Sequence, residues 1–320
     1  MATPGFTYQR DCARDVQPEE FGPSDETNAP EALYLDLMER CLTRSLFAEP
    51  TGESLRRALD MWSHRLVTAG NLLGELARGR LNRALHAWAQ KHLCSRRPSL
   101  GQRLTPPASK RAEGLDWPAD AETMIGLRRL DNLRYCITGV IREGMPGDLI
   151  ETGVWRGGAA IFMRAVLKAY GDTERTVWAA DSFRGLPKPE PTRYAADAGD
   201  IHWAWKQLAV PLEEVKRNFA RYDLLDDQVR FLVGWFRDTL PTAPIERLAV
   251  LRLDGDMYES TIDALRYLYP KLSVGGYAIV DDYGNVPACK AAVEDYRAEH
   301  GITEDIKRID WTGMFWQRLR

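Results

Sequence analysis

The sequence predicts an α/β fold, a mostly parallel sheet with helices on both faces, preceded by a helical extension. Three observations carry this reading. From residue 148 onward, short apolar runs alternate with helix-patterned stretches. Each run ends in acid or glycine: Glu151/Gly153, Asp181, Gly234, Asp254 and Asp281/Asp282. The stretch Asp148-Leu-Ile-Glu-Thr-Gly-Val-Trp-Arg-Gly-Gly158 reads as a buried strand, a glycine turn and a helix start.

Residues 1–30 are rich in Pro, Asp, Glu and Thr and read as a poorly ordered tail. Residues 31–119 read as a helical extension. Within it, 31–42 has apolar residues at 34, 35, 38, 41 and 42, the spacing of an amphipathic helix that needs a partner surface. Residues 53–98 carry many arginines interleaved with Leu, Trp62 and Trp88, and hold His64, His86 and His92. This basic segment reads either as a cap whose arginines are its solvated face or as a dock for a carrier protein or membrane surface. Residues 95–120 form a proline-rich connector.

The main domain is expected over 120–320. Residues 123–137 are helix-patterned, and the strand runs fall at 148–154, 176–180, 229–233, 248–253 and 277–280. Helices are expected at 159–170, 213–219, 259–267 and 288–300. Runs at 305–309 and 314–318 suit an edge hairpin, giving seven strands.

The chain's 320 residues suit one large domain with an extension, and a net charge of -3 gives no reason to expect nucleic-acid binding. Five scattered cysteines form no C-x-x-C pair and support neither a disulfide framework nor a zinc site. No apolar run approaches a membrane span and no signal-peptide core is visible, so a cytoplasmic location is expected.

In open α/β sheets, ligands bind beyond the carboxyl ends of the strands. Asp181, closing the second strand, suits the two ribose hydroxyls of a nucleoside. The turn pattern G-x-x-x-G differs from the dinucleotide G-x-G-x-x-G and offers no pyrophosphate cradle. S-adenosylmethionine therefore fits, and NAD is disfavoured. Asp254, Asp281 and Asp282 bring three carboxylates to adjacent strand ends, where a cation should compensate them. All-oxygen ligands without His or Cys favour Mg²⁺ or Mn²⁺.

These residues carry a resemblance. Thr123-Met-Ile-Gly-Leu-Arg-Arg-Leu, Glu151-Thr-Gly-Val-Trp-Arg-Gly-Gly, Val177-Trp-Ala-Ala-Asp-Ser-Phe, Gly234-Trp-Phe-Arg-Asp-Thr-Leu-Pro, Asp254-Gly-Asp and Asp281-Asp-Tyr resemble the macrocin O-methyltransferase (TylF-type) family. The match covers about 120–320 and the helix at 31–49. The resemblance implies a Rossmann-like class I methyltransferase fold and methylation of a sugar hydroxyl on an antibiotic glycoside, with S-adenosylmethionine and Mg²⁺. It further implies that Met124, Glu151 and Gly153 hold the methionine part, and that Asp181, with Ser182 beside it, holds the ribose. By the same resemblance Gly234, Trp235, Phe236 and Arg237 surround the adenine, Asp254, Asp281 and Asp282 bind the metal, and the protein is a dimer or larger.

The layout is also similar to catechol O-methyltransferase at fold level, but the lysine base expected after the first metal aspartate is absent. Asp256, Met257 and Tyr258 stand there instead. The arginine-rich segment is a second departure, an insertion relative to the shorter sugar enzymes. Asp254 is the first candidate for proton acceptor and His202 the second. His202 lies in 186–210, a long stretch with Trp203 and Trp205 that reads as an active-site lid. Two other readings stay open: methylation of a phenolic or carrier-tethered natural product, and a catalytically idle partner subunit.

Overall fold

The computed structural model describes residues 29–46, 108–115, 118 and 120–320. The tail over 1–28 and the basic segment at 53–98 lie outside the described residues.

The elements follow the apolar pattern closely. Helix α1 spans Pro30–Leu42, α2 Ala108–Ala112 and α3 Leu127–Arg142. Strand β1 (Asp148–Thr152) leads through the glycine turn to α4 (Gly158–Ala169) and then β2 (Val177–Asp181). Three short 3-10 turns occupy the connection to α5 (Leu212–Arg221). Next come β3 (Val229–Val233), the one-turn α6 (Phe236–Thr239), β4 (Leu248–Leu253) and α7 (Tyr258–Leu268). Strand β5 (Leu272–Val280), α8 (Pro287–Glu299), β6 (Lys307–Arg308) and β7 (Met314–Gln317) complete the chain.

The sheet runs β3-β2-β1-β4-β5-β7-β6. The first five strands are parallel, and β7 joins antiparallel to β5 with β6 beyond it. Strand order reverses between β1 and β4, so a crevice opens above those two strands. Both faces are covered, which explains the near-continuous apolar runs. Leu149, Ala179 and Val250 pack under α3, α4 and α5, whereas Ile150, Ala180 and Leu251 pack against α7 and α8.

Two elements differ from expectation. The helix expected from residue 123 starts at Leu127, after Gly126, and Met124 remains in coil. The Glu122 carbonyl there accepts from Gly158 N–H at 2.9 Å, so this coil is held against the glycine turn. Strand β5 begins five residues before the apolar run does, because Leu272 already pairs with Leu248, and Ser273-Val-Gly-Gly276 form an irregular stretch before pairing resumes at Val250 and Tyr277. The apolar face of α1 finds its partner within its own chain: Leu35, Met38 and Leu42 are buried in the core shared with α3 and α4. No helix among the described residues is long and apolar enough to cross a membrane.

Candidate active site

Gly153 leaves β1 at φ +94, and a Cβ added there would stand 1.7 Å from the Asp254 carbonyl oxygen. At Gly158 it would stand 2.5 Å from Thr123 Cβ. Both glycines are therefore required by the chain's own close packing, and Gly153 lines the cleft as well. Gly153→Ala should cost about 3 kcal/mol or more through φ strain and steric overlap. At this size that is a fall in Tm on the order of 10 °C, measurable by thermal melting. An unchanged Tm would contradict the packing account.

The turn opens onto a cleft of about 730 Å³, a volume that includes the open solvent at its mouth. Met124, Gly153, Asp181, Ser182, the Gly234–Arg237 stretch and Asp254 all line it. Glu151 lies beneath the lining, 2% exposed. Asp181 grips the turn itself: its Oδ2 accepts from Val154 N at 2.7 Å and its Oδ1 from Phe183 N at 2.7 Å. Each carboxylate oxygen also takes a longer second bond at 3.4 Å, Oδ2 from Trp155 N and Oδ1 from Ser182 Oγ, and these weaker contacts are the ones a ligand hydroxyl would replace. Trp235 and Phe236 offer aromatic faces of the kind that pack on a purine.

Asp254, Asp281 and Asp282 each present an oxygen within 4.8 Å of the others. Two buried arginines hold this cluster. Arg252 Nη1 donates to Asp254 Oδ2 at 2.8 Å and to Glu151 Oε1 at 2.7 Å, and its Nη2 donates to Asp281. Arg129 bonds the other Asp281 oxygen and ion-pairs with Asp310 at 2.8 Å. Burial and the Asp281 charge push Asp254 up to about 7, against the pull of Arg252. Burial, then the charges of Asp256, Asp254 and Asp281, push Asp282 well above the usual carboxylate range. The arginines thus leave negative charge uncompensated at Asp282. An oxygen-only donor set with that deficit fits a hard divalent cation.

The 186–210 segment sits over this cleft. Leu186, Pro187 and Leu208 contribute to its lining. Asp197, buried, accepts from Tyr258 N at 2.7 Å and Glu259 N at 3.0 Å at the start of α7. Trp155 Nε1, from the glycine turn, donates to the Gln207 carbonyl at 2.9 Å. His202 does not line the cleft. Its Nδ1 pairs with Asp200 Oδ2 at 2.7 Å, and its ring meets Trp205 edge-on at 4.7 Å. Burial favours the neutral imidazole, but the Asp200 hydrogen bond and the Asp256 charge outweigh it and raise the pKa.

Asp256 is the residue that the sequence argument passed over. It sits at φ +55, lines the cleft, and its N–H donates to Asp282 Oδ2 at 3.3 Å. Among the described residues no group donates a hydrogen bond to its carboxylate. Burial raises it to about 6, against the attraction of His202. The signal was the second acid in Asp254-Gly-Asp256. Arg252 was equally visible, as the lone charge in the run Leu248-Ala-Val-Leu-Arg-Leu253.

Comparison with known proteins agrees with this geometry. The family model described as Macrocin-O-methyltransferase (TylF) matches residues 31–318. The 8-demethyl-8-(2,3-dimethoxy-alpha-L-rhamnosyl)-tetracenomycin-C 4'-O-methyltransferase of Streptomyces olivaceus is 60% identical over 213 residues, covering 66% of this chain and 81% of that protein. The demethyldecarbamoylnovobiocin O-methyltransferase of Streptomyces niveus is 48% identical over 296 residues, 92% of this chain and 97% of that protein. Among solved structures, the O-methyltransferase NovP superposes with a TM-score of 0.72 at 46% identity, covering 91% of this chain and 100% of that one.

Proposed function

The chain belongs to the macrocin O-methyltransferase family, and from that premise we propose that it methylates a sugar hydroxyl on a natural-product glycoside. S-adenosylmethionine is the donor and Mg²⁺, with Mn²⁺ as substitute, the assisting ion. The observation that carries this reading is the single cleft that runs from Asp181, past Gly153, to the carboxylates of Asp254 and Asp256. Bound there, S-adenosylmethionine supplies an electrophilic methyl, and the ion lowers the pKa of the acceptor hydroxyl and fixes its position.

The chain's residues divide the remaining work. Asp181 holds the ribose, with Ser182 supporting its turn. Met124 and Gly153 hold the methionine part, and the Gly234–Arg237 stretch encloses the adenine. Glu151 Oε2 makes no hydrogen bond within the described residues and is buried, which suits the ammonium of the methionine part. Asp254, Asp281 and Asp282 hold the ion. The proton passes to Asp256, because Asp254 Oδ2 is taken by Arg252 while the Asp256 carboxylate accepts no hydrogen bond among the described residues. His202, tied to Asp200, sits behind Asp256 as the alternative acceptor. The 186–210 segment excludes water during transfer. We take 120–320 as the transferase unit, 31–119 as its extension, and the working protein as a cytoplasmic homo-oligomer.

The test is incubation with labelled S-adenosylmethionine, Mg²⁺ and a panel of glycosides beside their aglycones. Label should enter the glycosides alone. Equal labelling of the aglycones would move the acceptor to a phenolic or alcoholic aglycone.

A further inference from the structure

Arg252 stands in the middle of β4, its side chain 2% exposed. In the sheet register it lies beside Glu151 of β1 and Ile279 of β5. Side chains alternate along a strand, so Glu151, Arg252, Asp254 and Asp281 all project from the same face. One guanidinium consequently reaches three carboxylates on three strands: Glu151 and Asp254 through Nη1, Asp281 through Nη2. Glu151 and Asp254 belong to opposite ends of the reaction, the donor end and the metal end.

We propose that Arg252 is a positioning residue that fixes the methyl-donor subsite and the metal subsite in one common frame. The inference rests on the proposed function and deepens it. Catalysis by direct displacement requires the acceptor oxygen and the donor methyl to be held within a narrow range of distance and direction. The two groups bind to different strands, so something rigid must relate those strands at their side chains. A planar fork with several donors does this, whereas a lysine ammonium is a single point charge that cannot span the three acids.

Arg129 supplies the internal comparison. It is buried too, but among the described residues its ion-pair partners are Asp281 and Asp310, not Glu151 or Asp254. It should therefore support the metal end and leave the donor end untouched. A general structural role for either arginine would lower stability without sorting the two ligands in this way.

The experiment is calorimetry on the full chain, with S-adenosylhomocysteine titrated without metal and Mg²⁺ titrated without donor. Arg252→Lys should weaken both ligands, the metal by about 10-fold or more, as supporting residues behind metal ligands do. Arg129→Lys should weaken Mg²⁺ alone. If Arg252→Lys does not fold by circular dichroism, Asp281→Asn carries the same test. Asp281 is outside the donor lining, so a weaker S-adenosylhomocysteine affinity there would have to travel through Arg252. S-adenosylhomocysteine affinity equal to wild type in the folded variant would overturn the inference. Wild-type protein that binds no S-adenosylhomocysteine would instead overturn the proposed function.

Discussion

Asp282→Ala is expected to lose roughly 10³-fold in kcat/KM at saturating Mg²⁺, and chelation with EDTA should abolish wild-type turnover. The size follows from the physics of the site. An ion polarising the attacking oxygen contributes several kcal/mol, and each 1.4 kcal/mol or so is a factor of ten in rate. Among the described residues, Asp282 is the acid of the cluster with no arginine bonded to it; Asp254 and Asp281 are both bonded to Arg252. Removing Asp282 therefore takes away the least compensated charge in the cluster, pushed well above its usual range by burial and by its acidic neighbours. The folded state should tolerate the change, since it relieves repulsion among acids. Rates are read from methyl transfer with and without added Mg²⁺, after a thermal melt. Undiminished turnover that resists EDTA would sink metal assistance altogether.

Asp256→Asn is the second large effect. General-base catalysis contributes about 10² to 10⁴ in rate, and a loss in that range is expected in kcat, with S-adenosylhomocysteine binding retained. The carboxylate lines the cleft beside Asp254, and burial sets it to about 6, a value suited to accepting a proton near neutrality. His202→Ala should cost much less, because His202 acts behind Asp256 and is already committed to Asp200. Single-turnover rates separate the chemical step from product release. A larger loss in His202→Ala than in Asp256→Asn would transfer the proton to the lid histidine.

The strands were legible because a sheet buried on both faces demands unbroken apolar runs. Leu248–Leu253, buried along its whole length, is bounded in the structure where its run ends in sequence, and so is the half-exposed edge strand Val229–Val233. The strand-end acids were legible for the same reason: a charge that ends a buried run must face the open end of the sheet. Asp254 and Asp181 could be placed on that argument before any contact was known. What the pattern could not supply was sideways information. That Arg252 lies beside Glu151, and that the Asp256 N–H meets Asp282, depends on which strands are neighbours and in what register. Likewise Asp197 reads as an ordinary loop acid until α7 is seen to end on it. The glycine turn taught the opposite lesson. Its motif pointed to a ligand, yet Gly153 lines the cleft and is also required by the Asp254 carbonyl on its other side, a packing demand that the motif does not express.

The central claim is that this cleft delivers a methyl group to a sugar oxygen. It is tested most directly by running the reaction with deuterated-methyl S-adenosylmethionine, Mg²⁺ and a glycoside acceptor, and locating the label by fragment-ion mass spectrometry. The label is predicted on the sugar fragment, as an ether that survives separation from the aglycone, and absent when EDTA is present. Label on the aglycone fragment, or transfer undiminished by EDTA, would contradict the account.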